Sequence, residues 1–234
     1  MSANKGTLYV VATPIGNLKD ISARAIEVLQ ESDLVVAEDR ERALKLLSHL
    51  DIRKPILTIN AYNEERKADA IARQIATGKQ CVLISGAGTP CISDPGNIVV
   101  RKCQDMGVDV RAVPGPSAVI AALSISGLSP DRFFFYGFLP QKRGKKRKII
   151  AELLSRPFPV IFFESPRRLA DTIEQISELA PDREVVLAKE MTKIYEELVR
   201  SRADQLTDYI PEDIKGEYTV IVAGTKFRKD RGPR

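Results

Sequence analysis

The stretch Ile84-Ser85-Gly86-Ala87-Gly88-Thr89-Pro90-Cys91-Ile92-Ser93-Asp94-Pro95-Gly96 has the clearest capacity for chemistry in this chain. Its glycines let backbone N–H groups approach a ligand without interference from Cβ, and its prolines hold the loop in one shape, so little entropy is lost when a ligand docks. A second segment of this kind, Pro114-Gly115-Pro116-Ser117-Ala118, opens a small-residue helix whose first N–H groups are available to a ligand or serve only to start the helix. Ionisable residues gather at three further loop starts: Glu38-Asp39, Glu164 to Arg168, and Lys189 to Lys193. A carboxylate in such a place takes a proton or orients a hydroxyl, or else pairs with a nearby arginine at a helix start. From Gln141 to Lys148 there are six cations and no acid, which suits either phosphate contacts or a solvated helix start.

Other chemistries are excluded by what stands at key positions. A dinucleotide fingerprint beginning at Gly86-Ala87-Gly88 needs a third glycine where Cys91 stands, and Gly144-Lys145 is followed by Lys146 rather than the Ser or Thr of a phosphate loop. A loop rich in backbone donors and acceptors, with no lysine for a triphosphate, suits a zwitterionic ligand of adenosine size. His49 is the only histidine and ends a helical pattern, so His-based triads and His-rich metal sites are ruled out. Cys81, Cys91 and Cys103 are too few and too widely spaced for a disulfide framework or a zinc pattern, so no metal is expected.

The elements that must position these loops alternate strand and helix. Strands are predicted at 7–13, 34–37, 56–59, 81–84 and 108–113, with helices between them, which gives a mainly parallel sheet covered on both faces. Asp20 or Ser22 is expected to cap the first helix, and Glu64 to Thr77 forms another. In the second half, strands are predicted at 133–138, 160–163, 184–188 and 218–223, with Phe133 to Phe135 in the core and a helix over 169–179. This divides the chain into an N-terminal α/β domain (1–116), a C-terminal α/β domain (117–225) and a basic tail (226–234) expected to be disordered. Loops at the carboxyl ends of strands converge on a crevice, so one cleft is expected between the halves. With 234 residues, 44% hydrophobic and 29% charged, the composition is that of a soluble globular protein. No apolar run has the length of a membrane span, and Met1 to Gly6 lead straight into a strand, so a cytoplasmic location is expected. The net charge of +5 is only weakly informative about an anionic partner.

Taken in order, several segments together resemble one family. They are Leu8 to Leu18 (Leu-Tyr-Val-Val-Ala-Thr-Pro-Ile-Gly-Asn-Leu), Ala37-Glu38-Asp39, Gly88-Thr89-Pro90 with Ser93-Asp94-Pro95-Gly96, and Pro114 to Ala118. Gly137-Phe138-Leu139-Pro140, Phe163-Glu164-Ser165-Pro166 and Lys189-Glu190-Met191-Thr192-Lys193 complete the set. The family is the tetrapyrrole-methylase superfamily, and within it the chain is most similar to the bacterial branch that methylates cytidine 2′-oxygens in 16S rRNA of the small ribosomal subunit. The resemblance implies two α/β/α domains with S-adenosylmethionine in the cleft between them, usually in a homodimer, and 16S rRNA of the 30S subunit as partner. Carried over residue by residue, it implies cofactor contacts at Pro14, Ala87, Gly88, Thr89, Ile92, Ser117, Ala118, Glu164 and Met191. For the base or the orientation of the ribose the candidates are Glu38, Asp39, Lys189 and Glu190. Phosphate contacts are expected from Lys142, Arg143, Lys145, Lys146, Arg147, Lys148 and Arg168. Gly86 stands where the RNA branch usually has aspartate, Arg40-Glu41 where it has Thr-Arg, and Tyr62 where it has histidine. Two other readings stay open: methylation of a tetrapyrrole or other small anion, and an RNA-binding relative that has lost the chemistry.

Overall fold

The computed structural model describes residues 6–128, 131–210 and 215–226. Of the expected basic tail only Lys226 falls within this range; the rest of it, and Met1 to Lys5, lie outside the described residues. The chain divides into two compact units, the first ending at Ser117 and the second beginning at Ala118.

The first unit contains β1 (Thr7–Val11), α1 (Ala23–Glu31), β2 (Leu34–Ala37), α2 (Arg40–His49), β3 (Ile56–Thr58), α3 (Glu64–Ala76), β4 (Gln80–Ile84), α4 (Asn97–Asp105) and β5 (Asp109–Val113). Its sheet runs β3-β2-β4-β1-β5, and every pairing is parallel. All the strand carboxyl ends therefore lie along one edge. The chain first winds outward to β3, then returns to set β4 between β2 and β1, and finally crosses to β5, so the winding direction reverses beside β1. Both faces are buried, which explains the near-continuous apolar runs of β2 and β4. Ala25, Leu29, Leu46 and Leu47 cover one face against Val35 and Val82, while Ala68, Ile71, Ile75 and Val99 cover the other against Leu8 and Leu83. Of the two cap candidates, Ser22 caps α1, its hydroxyl accepting from Ala25 N at 3.1 Å.

The second unit contains α5 (Ala118–Ile125), β6 (Phe134–Phe138), α6 (Arg143–Leu154), β7 (Val160–Glu164), α7 (Pro166–Leu179), β8 (Glu184–Lys189), β9 (Glu197–Arg202), α8 (Ala203–Tyr209) and β10 (Tyr218–Val222). Its sheet, β6-β7-β10-β8-β9, is mixed: β6 and β7 are parallel, whereas β10 runs antiparallel to β7 and β8, and β9 antiparallel to β8. β9 and α8 lie where the sequence predicts no element. β9 is an edge strand of sequence Glu-Leu-Val-Arg-Ser-Arg with no fully buried residue, so it carries no apolar face to read. The core reading of Phe133 to Phe135 needs correction. Phe134 packs on the core, but Phe133 is exposed, and Phe135 turns to the opposite face, its ring 5.0 Å from that of Phe163. β6 is the other edge strand, and alternation along it sends neighbouring side chains to opposite faces. Among the described residues no helix is long and apolar enough to cross a membrane.

Candidate functional site

The loops after β1, β4 and β5 are tied to one another. Beyond β1, Thr13 and Gly88 exchange both backbone hydrogen bonds, Thr13 N to Gly88 O at 2.9 Å and Gly88 N to Thr13 O at 3.0 Å. Gly88 holds φ +76°, a conformation that disfavours any residue with a Cβ. The Thr89 hydroxyl donates to Pro116 O at 3.2 Å, and that of Ser85 to Ala87 O at 3.1 Å. Pro14, Ala87, Gly88, Thr89 and Ser117 thus share one edge of the first sheet. Ile92, further along the same loop, is an exposed apolar side chain, and Ala118 begins the helix that follows. The Thr13 hydroxyl is buried among them without a hydrogen-bond partner among the described residues. Sequence reasoning passed over Thr13; the only signal was its place directly before Pro14.

The far end of the long loop is held by Glu64. This buried carboxylate accepts through one oxygen from Gly96 N (3.0 Å), Ile98 N (2.8 Å) and Val99 N (3.2 Å). It thereby caps α4, whose own cap residue, Gly96, has no side chain to offer. Gly96 has φ +134°, and a Cβ there would meet Cys91 Sγ and Leu83 Cδ2 at 2.8 Å each.

The acids at the end of β2 divide in role. Asp39 Oδ1 accepts from Glu41 N at 2.8 Å and Arg42 N at 3.1 Å, so Asp39, one of the expected bases, is the N-cap of α2. Glu38 instead turns toward the end of β4, where its Oε2 would be 3.7 Å from a Cβ on Gly86, and Arg42 Nη1 would be 3.4 Å from that Cβ. Asp94 lies further along the loop that follows β4. Burial and the negative charge of Glu38 raise its carboxyl to about 6, against the opposing pull of the nearby Ser85 hydroxyl and the Arg42 charge. Sequence spacing gives no reason to pair Asp94 with Glu38; only the adjacency of β2 and β4 does.

This coupling predicts a pH-dependent stability. The folded pKa of Asp94 lies above its unfolded value, so the folded state holds the extra proton between about pH 4 and pH 6. The stability tied to that proton is fully present below the unfolded pKa and is lost as pH rises through about 6. Asp94→Asn should therefore raise the stability of the protein at pH 8 by about 1 kcal/mol after solvent screening, and change it little at pH 4. Thermal unfolding at the two pH values checks this.

In the second unit, the ends of β7 and β8 carry internal networks. Glu164 is fully buried: its Oε1 accepts from Ser165 N (2.9 Å) and lies 3.2 Å from Arg168 Nε, close enough for an ion pair though not aligned as a hydrogen bond. Its Oε2 accepts from the Thr172 hydroxyl at 2.8 Å. Both oxygens are thus engaged, and what Glu164 can offer a ligand is its main chain. Lys146 donates to Thr172 Oγ1 at 2.9 Å and pairs with Asp171. Burial works against ionisation of Asp171, but the bonds and charge of Lys146, with Gln175 and Arg143, outweigh it and hold the carboxyl below its usual range. Arg168 donates to Leu139 O (2.7 Å) and Pro140 O (3.1 Å).

Two expected phosphate contacts are therefore corrected. Lys146 is 2% exposed because it sits on the stripe of α6 that packs on α7, and Arg168 is drawn inward by Glu164 and two carbonyls. Arg143 pairs with Asp171 and Glu174, and Arg147 with Glu178, at the surface of the same helix pair. Lys142, Lys145 and Lys148 are exposed and form no ion pair among the described residues.

At the end of β8, Lys189 lies 3.4 Å from Glu197. Burial opposes ionisation of Glu190, but a 2.8 Å bond from Lys193, the Glu217 amide and the lysine charges outweigh it, so its carboxyl sits below the usual range. Glu190 is thus a lock between the β8 end and the segment entering β10, and a poor proton acceptor. Met191, next to it, is buried.

Residues 7–207 match the family model described as Tetrapyrrole (Corrin/Porphyrin) Methylases. The chain is 42% identical over 234 residues to a ribosomal RNA small subunit methyltransferase I of Escherichia coli O157:H7, covering 98% of this chain and 82% of that one. It is 41% identical over 221 residues to the protein of the same name from Thermotoga maritima, covering 94% and 99%. Among solved structures, the methyltransferase CobJ superposes with a TM-score of 0.70 at 16% identity, over 96% of this chain and 97% of that one. Uroporphyrin-III C-methyl transferase from Thermus thermophilus, complexed with S-adenyl homocysteine, gives 0.62 at 19% identity, over 94% and 98%. With the family model matched from β1 into α8, and relatives above 40% identity along nearly the whole length, the chain belongs to the tetrapyrrole (corrin/porphyrin) methylase family.

Proposed function

We propose that the protein is an S-adenosylmethionine-dependent methyltransferase of 16S rRNA in the small ribosomal subunit, acting on the 2′-oxygen of a cytidine ribose. The observation that carries this reading is the identity of 41–42%, over nearly the full chain, with relatives named for methylation of small-subunit ribosomal RNA. The resemblance to the RNA branch supports the ribose as target, and it supports a homodimer working in the cytoplasm.

The first unit fits the cofactor. A zwitterionic, nucleoside-sized ligand needs backbone donors and acceptors and a few hydroxyls rather than a phosphate-binding lysine. The tied loops offer these, and the buried, unpartnered hydroxyl of Thr13 lies at their base. Pro14, Ala87, Gly88, Thr89, Ile92, Ser117 and Ala118 would hold it. S-adenosylmethionine supplies a methyl group on a sulfonium, already activated for transfer. What remains for the protein is to align the substrate oxygen, to exclude water and to receive a proton. Lys142, Lys145 and Lys148 supply cations for phosphates without disturbing the folded core.

Incubation with labelled cofactor and undermodified 30S subunits, followed by mapping of the label, tests the proposal. Label in a cytidine ribose of 16S rRNA is expected. Label only in small anionic acceptors would overturn the reading, and absence of cofactor binding at millimolar concentration would point to an RNA binder without chemistry. Replacing Lys142, Lys145 and Lys148 together with serine should weaken RNA binding and flatten its dependence on log salt by about two units, with cofactor affinity unchanged. An unchanged slope would assign these lysines to solvent alone.

A further inference from the structure

Where β8 begins, the strand ends of the second unit enclose a cavity of about 500 Å³. Its origin is local. Pro181 follows the end of α7 and prevents its continuation, and Asp182 and Arg183 then lead the chain into β8. On the other wall, Ala223 N donates to Glu184 O at 2.9 Å, which closes the pairing of β10 with β8. Beyond it Gly224 presses against the main chain of Pro157 and Phe158, where a Cβ would be 2.4 Å from Phe158 N, and Thr225 N donates to Arg156 O at 2.9 Å. The chain leaving β10 is thus drawn toward the segment before β7, and a gap opens beside the start of β8.

The carboxylates around this gap are taken by other arginines. Asp182 pairs with Arg202, which also pairs with Asp204 at 2.7 Å, and Glu184 pairs with Arg200. Arg183 is left over. It donates through Nη1 to Ala223 O at 2.8 Å and forms no ion pair among the described residues, although it is partly buried. Its remaining N–H donors have the fork geometry that meets an oxyanion in two parallel bonds. A guanidinium partly out of water and without a counter-ion is costly, and a bound carboxylate or phosphate offsets that cost. Size adds a second condition. A cavity of this volume holds an organic molecule rather than a bare inorganic ion, and Ala180 and Pro181 give its lining an apolar part.

We propose that this cavity binds a small organic anion, its carboxylate or phosphate held by Arg183 and its apolar body laid on Ala180 and Pro181. The place differs from the one expected for the cofactor: Glu184 and Lys189 are the two ends of β8, roughly 16 Å apart, and Met191 follows the second of them. The proposal therefore does not depend on the methyltransferase reading.

Calorimetry on the full chain tests it, with phenyl phosphate and benzoate as organic probes and inorganic phosphate as the bare anion. At least one organic probe should bind with a dissociation constant below about 1 mM and about tenfold tighter than inorganic phosphate; the tighter of the two tells a phosphate ester from a carboxylate. Arg183→Met should weaken that binding by about tenfold or more, and Arg183→Lys, which keeps the charge without the fork, should fall between. Thr225→Trp fills the cavity from an exposed position and should weaken binding as much with Arg183 intact. Arg101→Met, which removes an exposed arginine on α4 in the first unit, should leave it unchanged. Circular dichroism shows which variants are folded, and Thr225→Trp decides the matter if Arg183→Met is not. No binding of either organic probe at about 10 mM would overturn the proposal. So would binding that survives Thr225→Trp, an equal loss in Arg101→Met, or inorganic phosphate binding as tightly as both organic probes.

Discussion

Lys146→Ala should destabilise the protein by roughly 3 kcal/mol, whereas Lys145→Ala, one position away in the same basic run, should change stability by no more than about 0.5 kcal/mol. Lys146 is 2% exposed and is a middle link in a chain of contacts running from Asp171 through Lys146 and Thr172 to Glu164. Removing its ammonium leaves Asp171 without its closest cation and a cavity between α6 and α7. It also removes the donor to the hydroxyl that Glu164 depends on. Lys146→Met, which restores the volume without the charge, should recover about half of the loss, because Asp171 is partly solvated and Thr172 can still donate to Glu164. Urea denaturation of the three variants at neutral pH measures this. Equal midpoints for Lys145→Ala and Lys146→Ala would show that the network carries no stability.

Glu64→Ala should cost about 3 kcal/mol or more and weaken cofactor binding at least tenfold, although the N–H groups it holds, at Gly96, Ile98 and Val99, are not among those expected to hold the cofactor. One carboxylate oxygen serves three N–H groups, at Gly96, Ile98 and Val99, and two of those residues are buried. Without it these donors at the start of α4 have no acceptor, and the loop from Ser85 to Gly96 loses its fixed end. Glu64→Gln keeps an oxygen acceptor and gives up the charge, so it should fall between the parent and Glu64→Ala in both measurements. Thermal unfolding and calorimetric titration with S-adenosylmethionine decide it. Full cofactor affinity in a destabilised Glu64→Ala would show that the loop keeps its shape without the cap.

Both expectations concern residues whose types are plain in the sequence and whose surroundings are not. Tyr62-Asn63-Glu64 reads as the start of a helix, and a glutamate in a first turn is ordinarily a solvated complement to the helix dipole. That it reaches across to cap α4 follows from the packing of α3 against α4 on one face of the first sheet. Lys146 is indistinguishable in sequence from its five cationic neighbours, because α6 carries a weak apolar stripe and the period does not show which cation faces α7. Asp94 was visible as one polar residue in a Gly/Pro loop. Its carboxyl is raised by burial first and then by the charge of Glu38, far away along the chain on the neighbouring strand's end.

By itself the sequence determined what is local or repeated along the chain. The buried strands β2 and β4, the helices with a clean apolar period, the caps and the Gly/Pro loops all arise from interactions within a few residues, so type and spacing suffice to read them. The ordered set of loop motifs was likewise enough to place the chain in its family. Only the tertiary structure decided the strand order, the mixed sheet of the second unit with its edge strand β9, and which ionisable groups work for the fold. Asp39, Lys146, Glu164 and Arg168 spend their polar atoms on caps and interior networks, while Glu38 and Arg42 are brought together beside Gly86. The physical reason is range: a charge takes its character from whatever lies within a few ångströms, and in a parallel sheet those neighbours belong to distant parts of the chain.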